Sequence, residues 1–282
     1  MMTKIINNVS DLREALNAWR KNGETIGFVP TMGALHAGHL ALVKQAKVKT
    51  KHTVVSIFVN PLQFGPNEDL EKYPRDLEKD RQLLNDVGCD LVFAPTVQEM
   101  YSEGFVTKVD PGPLQAILEG AVRPGHFVGV ATVVAKLFMQ VMPHAAFFGE
   151  KDYQQLLVIR QVVRDLSIPI EIVGVPIVRD TDGLALSSRN VYLTAEERKK
   201  ALALPQTLAD VVKQLKQTGN VQDIMQKGRD RITAAGFMLD YLELRDAGTL
   251  EAITTLSKPA RLLAAAKIGT TRLIDNLAVE AG

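Results

Sequence analysis

The sequence predicts an α/β protein: a doubly wound (Rossmann-like) parallel sheet over residues 1–178, followed by a smaller α+β domain over residues 179–282. Three observations predict it. Near-continuous apolar runs alternate with amphipathic helical patterns through the first two-thirds, as parallel strands covered on both faces require. A strand-to-helix junction near the N-terminus carries two glycines, as a ligand-binding turn in such sheets does. Beyond residue 178 the texture becomes polar and turn-rich, then groups helices with a few strands.

Taken in order, the strand candidates are residues 25–29, 53–59, 90–93, 145–148 and 170–178, each rich in β-branched or aromatic residues. Helical periodicity marks 40–50, 76–87, 130–141 and 153–166 between them. After the turn-rich stretch "RDTDGLALSSRN" come a long helix at 195–216 and a second at 221–235. The strand-like runs "LDYLELRD" and "TRLIDNLAV" follow.

Composition narrows the function classes. Lys plus Arg number 33 against 32 Asp plus Glu, so a dedicated nucleic-acid binder with a basic excess is not indicated. No apolar run reaches the length of a membrane span, and the N-terminus lacks the pattern of a signal peptide. The single cysteine, Cys89, cannot form an internal disulfide and points to a reducing compartment, the cytoplasm. Its setting, "DVGCDLVFAP", reads as core at the entry to a strand.

The junction "PTMGALHAGHL" holds Gly33-x-x-x-x-Gly38, the glycine spacing of a P-loop. The lysine and hydroxyl that should follow are replaced by His39 and Leu40. What remains is a helix N-terminus, backbone N–H groups and the imidazoles of His36 and His39. That set can bind an anion and donate to a phosphate. The same histidines could equally be ordinary turn and cap residues. Zinc is disfavoured, because no third ligand stands in an H-E-x-x-H arrangement.

Four further stretches carry chemistry. "FFGEKDYQQL" sets Lys151 at a strand's carboxyl end, beside a capping-box pattern of Asp152 and Gln155. "DGLALSSRN" offers Ser187, Ser188 and the rigid fork of Arg189, while Thr194 and Glu197 already supply the next helix cap. "IFVNPLQFGPNEDLEKYPRD" brings Gln63 and Phe64 to the sheet edge, where an amide can orient a small polar substrate. Its acidic run, residues 68–80, reads as a solvated helix start with one carboxylate available for magnesium. "VRPGHFVGVATVV" holds Arg123 and His126 as reserve phosphate or carboxylate contacts.

Together, and in this order, these stretches closely resemble the pantothenate synthetase (pantoate–β-alanine ligase) family. The resemblance covers residues from about 25 to 195 and continues to the end. The first motif alone is shared by the wider HIGH-type nucleotidyltransferases and class I aminoacyl-tRNA synthetases; the set is specific.

The resemblance implies an ATP-dependent ligase that joins pantoate to β-alanine through a pantoyl adenylate, releasing pyrophosphate and AMP. It implies that Met32, Gly33, Ala34, Leu35, His36, Ala37, Gly38 and His39 contact ATP, with His36 and His39 on its phosphates and His39 as proton donor. Gly149, Glu150, Lys151, Asp152 and Val178 border the nucleotide, and Lys151 bridges phosphate charge. Leu186, Ser187, Ser188 and Arg189 form the phosphate-closing segment; many members have Met where Leu186 stands. Gln63 and Gln155 hold pantoate, Arg123 is a further substrate contact, and Asp80 is the magnesium contact. A cytoplasmic homodimer, with a lid formed by the chain beyond 178, completes the expectation.

Two other classes remain at this point. A nucleotidyltransferase would stop at the nucleotidylated product and ignore an amine. A non-catalytic sensor would bind ATP and release no pyrophosphate. A synthetase fragment is disfavoured by the lack of a basic tRNA-binding face.

Overall fold

The apolar runs of the first two-thirds form a parallel sheet. The structure, a computed structural model, describes residues 3–66, 68, 70–217 and 220–280; Asn67 and Asp69 of the acidic loop motif lie outside them. The chain clusters into two units: Met1–Glu150 with Val158–Pro176, and Lys151–Leu157 with Ile177–Gly282.

In the first unit the elements run β1 (Lys4–Ile6), α1 (Val9–Lys21), β2 (Ile26–Thr31), α2 (Ala37–Lys49), β3 (His52–Ile57), α3 (Leu77–Asp86) and β4 (Leu91–Phe93). Then come two short helices, α4 (Val97–Met100) and α5 (Glu119–Val122), followed by α6 (His126–Val141), β5 (Ala145–Gly149), α7 (Tyr153–Asp165) and β6 (Glu171–Val175). The first turns of α7 belong to the second unit.

The six strands are parallel, in the order β1-β4-β3-β2-β5-β6. Adjacent strand residues bury opposite faces, which is why the strands read as continuous apolar runs: Phe28 and Val29 are both fully buried. Phe28 meets Phe138 of α6 edge-on at 6.4 Å, and Phe148 meets Phe138 at 6.3 Å. Val29 instead joins Val43 of α2, Val55 and Phe147. The order runs outward from β2 through β3 and β4, and from β5 to β6 on the other side. The sheet therefore reverses direction between β2 and β5, and ligands of doubly wound sheets bind beyond the carboxyl ends at such a switch point.

The second unit adds α8 (Ala195–Ala201), α9 (Ala203–Lys216), α10 (Val221–Ala234), β7 (Met238–Asp246), β8 (Ala260–Ile268) and β9 (Thr271–Val279). Its three strands form an antiparallel sheet in chain order. Leu204, Leu208 and Val211 of α9 share a core with Ile232, Leu262 and Leu273.

Three features differ from the sequence expectation. The helix expected over 195–216 is two helices divided at Leu202. Pro205 lacks the N–H that would bond the Ala201 carbonyl, and its ring crowds that carbonyl, so the break falls one turn before the proline. Strand β8, "ARLLAAAKI", is alanine-rich and carries no strand signal of its own; it is a strand because both neighbours pair with it. Strand β1 has three residues, too few for a period to register. No helix among the described residues is long and apolar enough to cross a membrane.

Candidate active site

The loop of residues 32–39 leaves β2 at the switch point and enters α2. Gly33 (φ +82°) and Ala34 (φ +52°) both take left-handed backbone, which turns the chain sharply. A Cβ on Gly33 would lie 2.9 Å from Asp80 Oδ2 and 3.1 Å from Ile57 Cγ2, so the position also lacks room. Asp80, buried at 2% exposure, accepts from the Ala34 N–H at 2.9 Å and the Leu35 N–H at 2.8 Å, one bond to each oxygen. Burial raises its carboxyl above the ordinary value, although the two amides favour the anion. The expected magnesium contact thus does not fit: Asp80 lies in the first turn of α3 but is buried rather than solvated, and both its oxygens already hold the loop.

The two histidines close the start of α2. His36 Nδ1 accepts from the Gly38 N–H at 3.1 Å, and His39 Nδ1 accepts from the His36 N–H at 3.4 Å, a capping box built from imidazoles. Their ring centres are 4.2 Å apart. The cap reading and the ligand reading therefore coexist. An accepting Nδ1 places the proton on Nε2, so each ring's donor is Nε2–H, at a helix N-terminus whose dipole favours an anion.

Gln63 ends a short 3-10 turn, Pro61–Gln63, after β3. Its Nε2 donates to Met32 Sδ at 3.1 Å, which ties it to the loop of residues 32–39. Its Oε1 accepts from Asn60 Nδ2 at 3.0 Å. Asn60, 1% exposed, also donates to the Gly129 carbonyl at 3.1 Å and accepts from the Leu62 N–H and the Tyr101 hydroxyl. Asn60, just before Pro61, is thus the support of the Gln63 amide. Asn60 and Tyr101 gave no signal as site residues, because the contacts that define them span 41 and 69 residues.

Gly129 of α6 lies against this turn; a Cβ there would sit 2.2 Å from the Leu62 carbonyl oxygen. Backbone cannot yield as a side chain tip can, so Gly129→Ala is expected to destabilise by about 2–4 kcal/mol or displace the turn. Thermal melting, read with a crystal structure of the variant, checks both outcomes.

Arg123 is engaged elsewhere than expected. Its Nε and Nη2 donate to Glu68 at 2.7 and 2.6 Å, and Nη1 lies 3.1 Å from His126 Nε2. Burial alone would raise the Glu68 carboxyl, but the hydrogen bonds and charge of Arg123 outweigh it and hold it below its ordinary value. His126 Nδ1 lies 2.8 Å from the Gln63 carbonyl oxygen, to which it donates. Arg123 and His126 therefore brace Gln63 rather than present themselves as first contacts for a substrate.

Burial, then the Arg123 charge, pushes the His126 imidazole down to about 4 from 6.5. The unfolded chain binds the proton that the folded chain refuses, so stability is expected to fall as pH drops from about 6.5 towards 4. Urea unfolding across that window checks it. His126→Asn, which retains a donor and cannot titrate, is expected to flatten that part of the dependence.

Gly149 ends β5 and Glu150 follows it, at the other side of the switch point. In the second unit, Lys151 and Asp152 finish a 3-10 turn and Gln155 is half-buried in the first turn of α7. Val178 and Leu186 pair across a small hairpin: the Leu186 N–H donates to the Val178 carbonyl at 3.0 Å, and Arg179 bridges Ala185. Gly183 (φ +93°) makes the turn, which Arg198 braces by ion pairs to Asp180 at 2.7 Å and Asp182 at 2.8 Å. The hairpin delivers Ser187, whose Oγ accepts from the Arg189 N–H at 3.2 Å and caps the 3-10 turn Ser188–Tyr192. Ser187 therefore has a local structural role that the sequence did not indicate.

Each unit by itself thus offers donors suited to an anion, and the first also an oriented amide. Cys89 is buried, and burial pushes its thiol up to about 12, so it is no nucleophile. Among the described residues no cluster of three His, Cys, Asp or Glu is arranged to hold a metal ion.

A family model described as pantoate-beta-alanine ligase matches residues 4–278. Pantothenate synthetase of Thermus thermophilus is 54% identical over 98% of this chain and 99% of that protein. Pantothenate synthetase of Shewanella oneidensis is 52% identical over 96% of this chain and 97% of that protein. A crystal structure of the Thermus thermophilus enzyme superposes with a TM-score of 0.94 at 54% identity, covering 99% of this chain and all of that one. Pantoate-beta-alanine ligase from Francisella tularensis, complexed with beta-gamma ATP and beta-alanine, gives a TM-score of 0.82 at 37% identity, with 99% of both chains covered.

Proposed function

Because the chain belongs to the pantoate–β-alanine ligase family and is a ligase, we propose that it makes pantothenate through a pantoyl adenylate, with ATP as the activating co-substrate. A pantoate carboxylate oxygen attacks the α-phosphorus of ATP, the bond to the β-phosphate breaks and pyrophosphate leaves. The amine of β-alanine then attacks the acyl carbon, its proton is lost and AMP departs.

One observation carries this reading: the loop of residues 32–39 stands at the switch point with two imidazoles fixed at the mouth of α2. In this reading His36 and His39 donate Nε2–H to the phosphates, His39 to the charge that grows on the leaving pyrophosphate. Met32, Gly33, Ala34, Leu35, Ala37 and Gly38 shape the backbone around ATP. Gly149, Glu150, Asp152, Val178 and Leu186 border the nucleotide, and Lys151, Ser187, Ser188 and Arg189 supply phosphate contacts. Gln63 and Gln155 orient pantoate, so that its carboxylate is aligned with phosphorus.

Magnesium belongs, in this reading, to the ATP phosphates themselves, which it partly neutralises when bound; Asp80 holds the loop. The chain beyond residue 178 is assigned the shielding of a hydrolysable adenylate from water. A cytoplasmic homodimer is part of the same proposal, and sedimentation equilibrium tests the dimer.

The deciding experiment is pantothenate formation from ATP, pantoate and β-alanine, with each omitted in turn. The reading requires product only in the complete mixture. Product without ATP, or AMP formed with pantoate replaced by other carboxylates equally well, would contradict it.

A further inference from the structure

A side-chain network in the second unit reaches both of its candidate ligand segments from one point on β9. Successive side chains of a strand leave opposite faces, and Asp275 and Asn276 are both buried, at 3% and 2% exposure. Asn276 Nδ2 donates to the Lys151 carbonyl at 2.8 Å, while its Oδ1 accepts from Arg261 Nε at 2.6 Å. The Arg261 guanidinium lies 4.2 Å from the centre of the Tyr153 ring, and the Tyr153 hydroxyl donates to the Ala247 carbonyl at 2.8 Å. On the other side, Asp275 accepts both arms of Arg179 at 2.7 and 2.8 Å. Arg179 also donates to the Gly183 carbonyl at 3.1 Å, within the hairpin that delivers Ser187 and Arg189. The Asn276 N–H donates to Asp275 Oδ1 at 2.7 Å and so joins the two arms.

We propose that Asp275 and Asn276 are a positioning pair: Asn276 sets the backbone of Lys151, and Asp275, through Arg179, sets the turn that carries Ser187 and Arg189. The inference rests on the assignment of Lys151 and Arg189 to ATP. A lysine side chain has four rotatable bonds, so the reach of its ammonium is governed by where its backbone is fixed. A buried amide aligned by a guanidinium is a strong fixture, because hydrogen bonds to a charged group are the stronger kind. Catalytic geometry is sensitive to such fixtures, since a displacement of about 1 Å can cost about 100-fold. Lys151 and Asn276 stand 125 residues apart, which is why nothing local in the sequence announces the link.

The test is a double-mutant cycle on the full chain, with ATP affinity read by calorimetry for the unaltered protein, Lys151→Ala, Asn276→Leu and the double variant. Asn276→Leu is expected to weaken ATP binding about 5–20-fold alone and less than about 2-fold when Lys151 is already alanine. A purely structural role predicts the same weakening in both backgrounds. That result, with Lys151→Ala itself impaired, overturns the positioning and leaves the assignment of Lys151 standing. If Lys151→Ala binds ATP normally, the assignment fails and the positioning falls with it. Should Asn276→Leu not fold, Asn276→Asp carries the cycle, since it loses the donor to Lys151 and keeps the acceptor for Arg261. A chain that folds in neither form makes Asn276 a folding residue and overturns the proposal.

Discussion

Alanine at His39 or Lys151 is expected to slow pyrophosphate release by about 10²–10⁴-fold while the chain still folds. Both residues are only partly buried. As a cap, His39 accepts a long bond, 3.4 Å from the His36 N–H to its Nδ1. Losing a cap of that kind costs about 1 kcal/mol or less, far below what unfolding needs. In the proposed reading the catalytic loss is larger, because the His39 Nε2–H meets the charge that grows on the leaving group. Pyrophosphate release and circular dichroism on the same samples decide the point. Near-normal release by either folded variant would remove that residue from the mechanism.

Gln63→Ala is expected to lower kcat/KM for pantoate by about 5–150-fold, or roughly 1–3 kcal/mol, while ATP affinity changes by less than about 2-fold. The amide is held at both ends before any substrate arrives, by Asn60 Nδ2 at 3.0 Å and Met32 Sδ at 3.1 Å. A group preorganised in this way loses little freedom on binding, so its contact is worth close to its full value. Gln155→Ala is expected to act in the same direction. Calorimetry with ATP and steady-state kinetics with pantoate separate the two ligands, and an equal loss of both would contradict the division of labour.

The fold was legible where burial is two-sided. Residues such as Phe28, Val29, Val54 and Val55 leave no polar alternation to misread, and the helix α3 begins at its own Asp76 cap. Legibility failed where pairing rather than composition decides. Alanine-rich β8 is a strand only because β7 and β9 flank it. A helix pattern over 195–216 hides the carbonyl that Pro205 cannot satisfy.

The site divides in the same way. Local motifs singled out the loop of residues 32–39, Gln63, Lys151 and the Ser187–Arg189 turn as candidates, because glycines, imidazoles and strand ends sit side by side in the chain. Support residues were invisible, since Asn60, Arg179, Asp275 and Asn276 act across 41 to 125 residues or through backbone carbonyls. Arg123 and Asp80 were read as ligand contacts for one reason: a charged residue in a motif reads that way until its internal partner is seen. The partners are Glu68 and the Ala34 and Leu35 amides.

The central claim is that pantoate is activated before β-alanine is needed, with no bond to the protein. Neither Ser187, whose Oγ caps a turn, nor Cys89, whose thiol burial pushes up to about 12, is an activated nucleophile. The most direct measurement is exchange of labelled pyrophosphate into ATP with pantoate present and β-alanine absent, alongside mass spectrometry of the quenched chain. The account predicts exchange that depends on pantoate, at unchanged protein mass. Exchange that appears only once β-alanine is added, or a chain heavier by a pantoyl or adenylyl group, would contradict it.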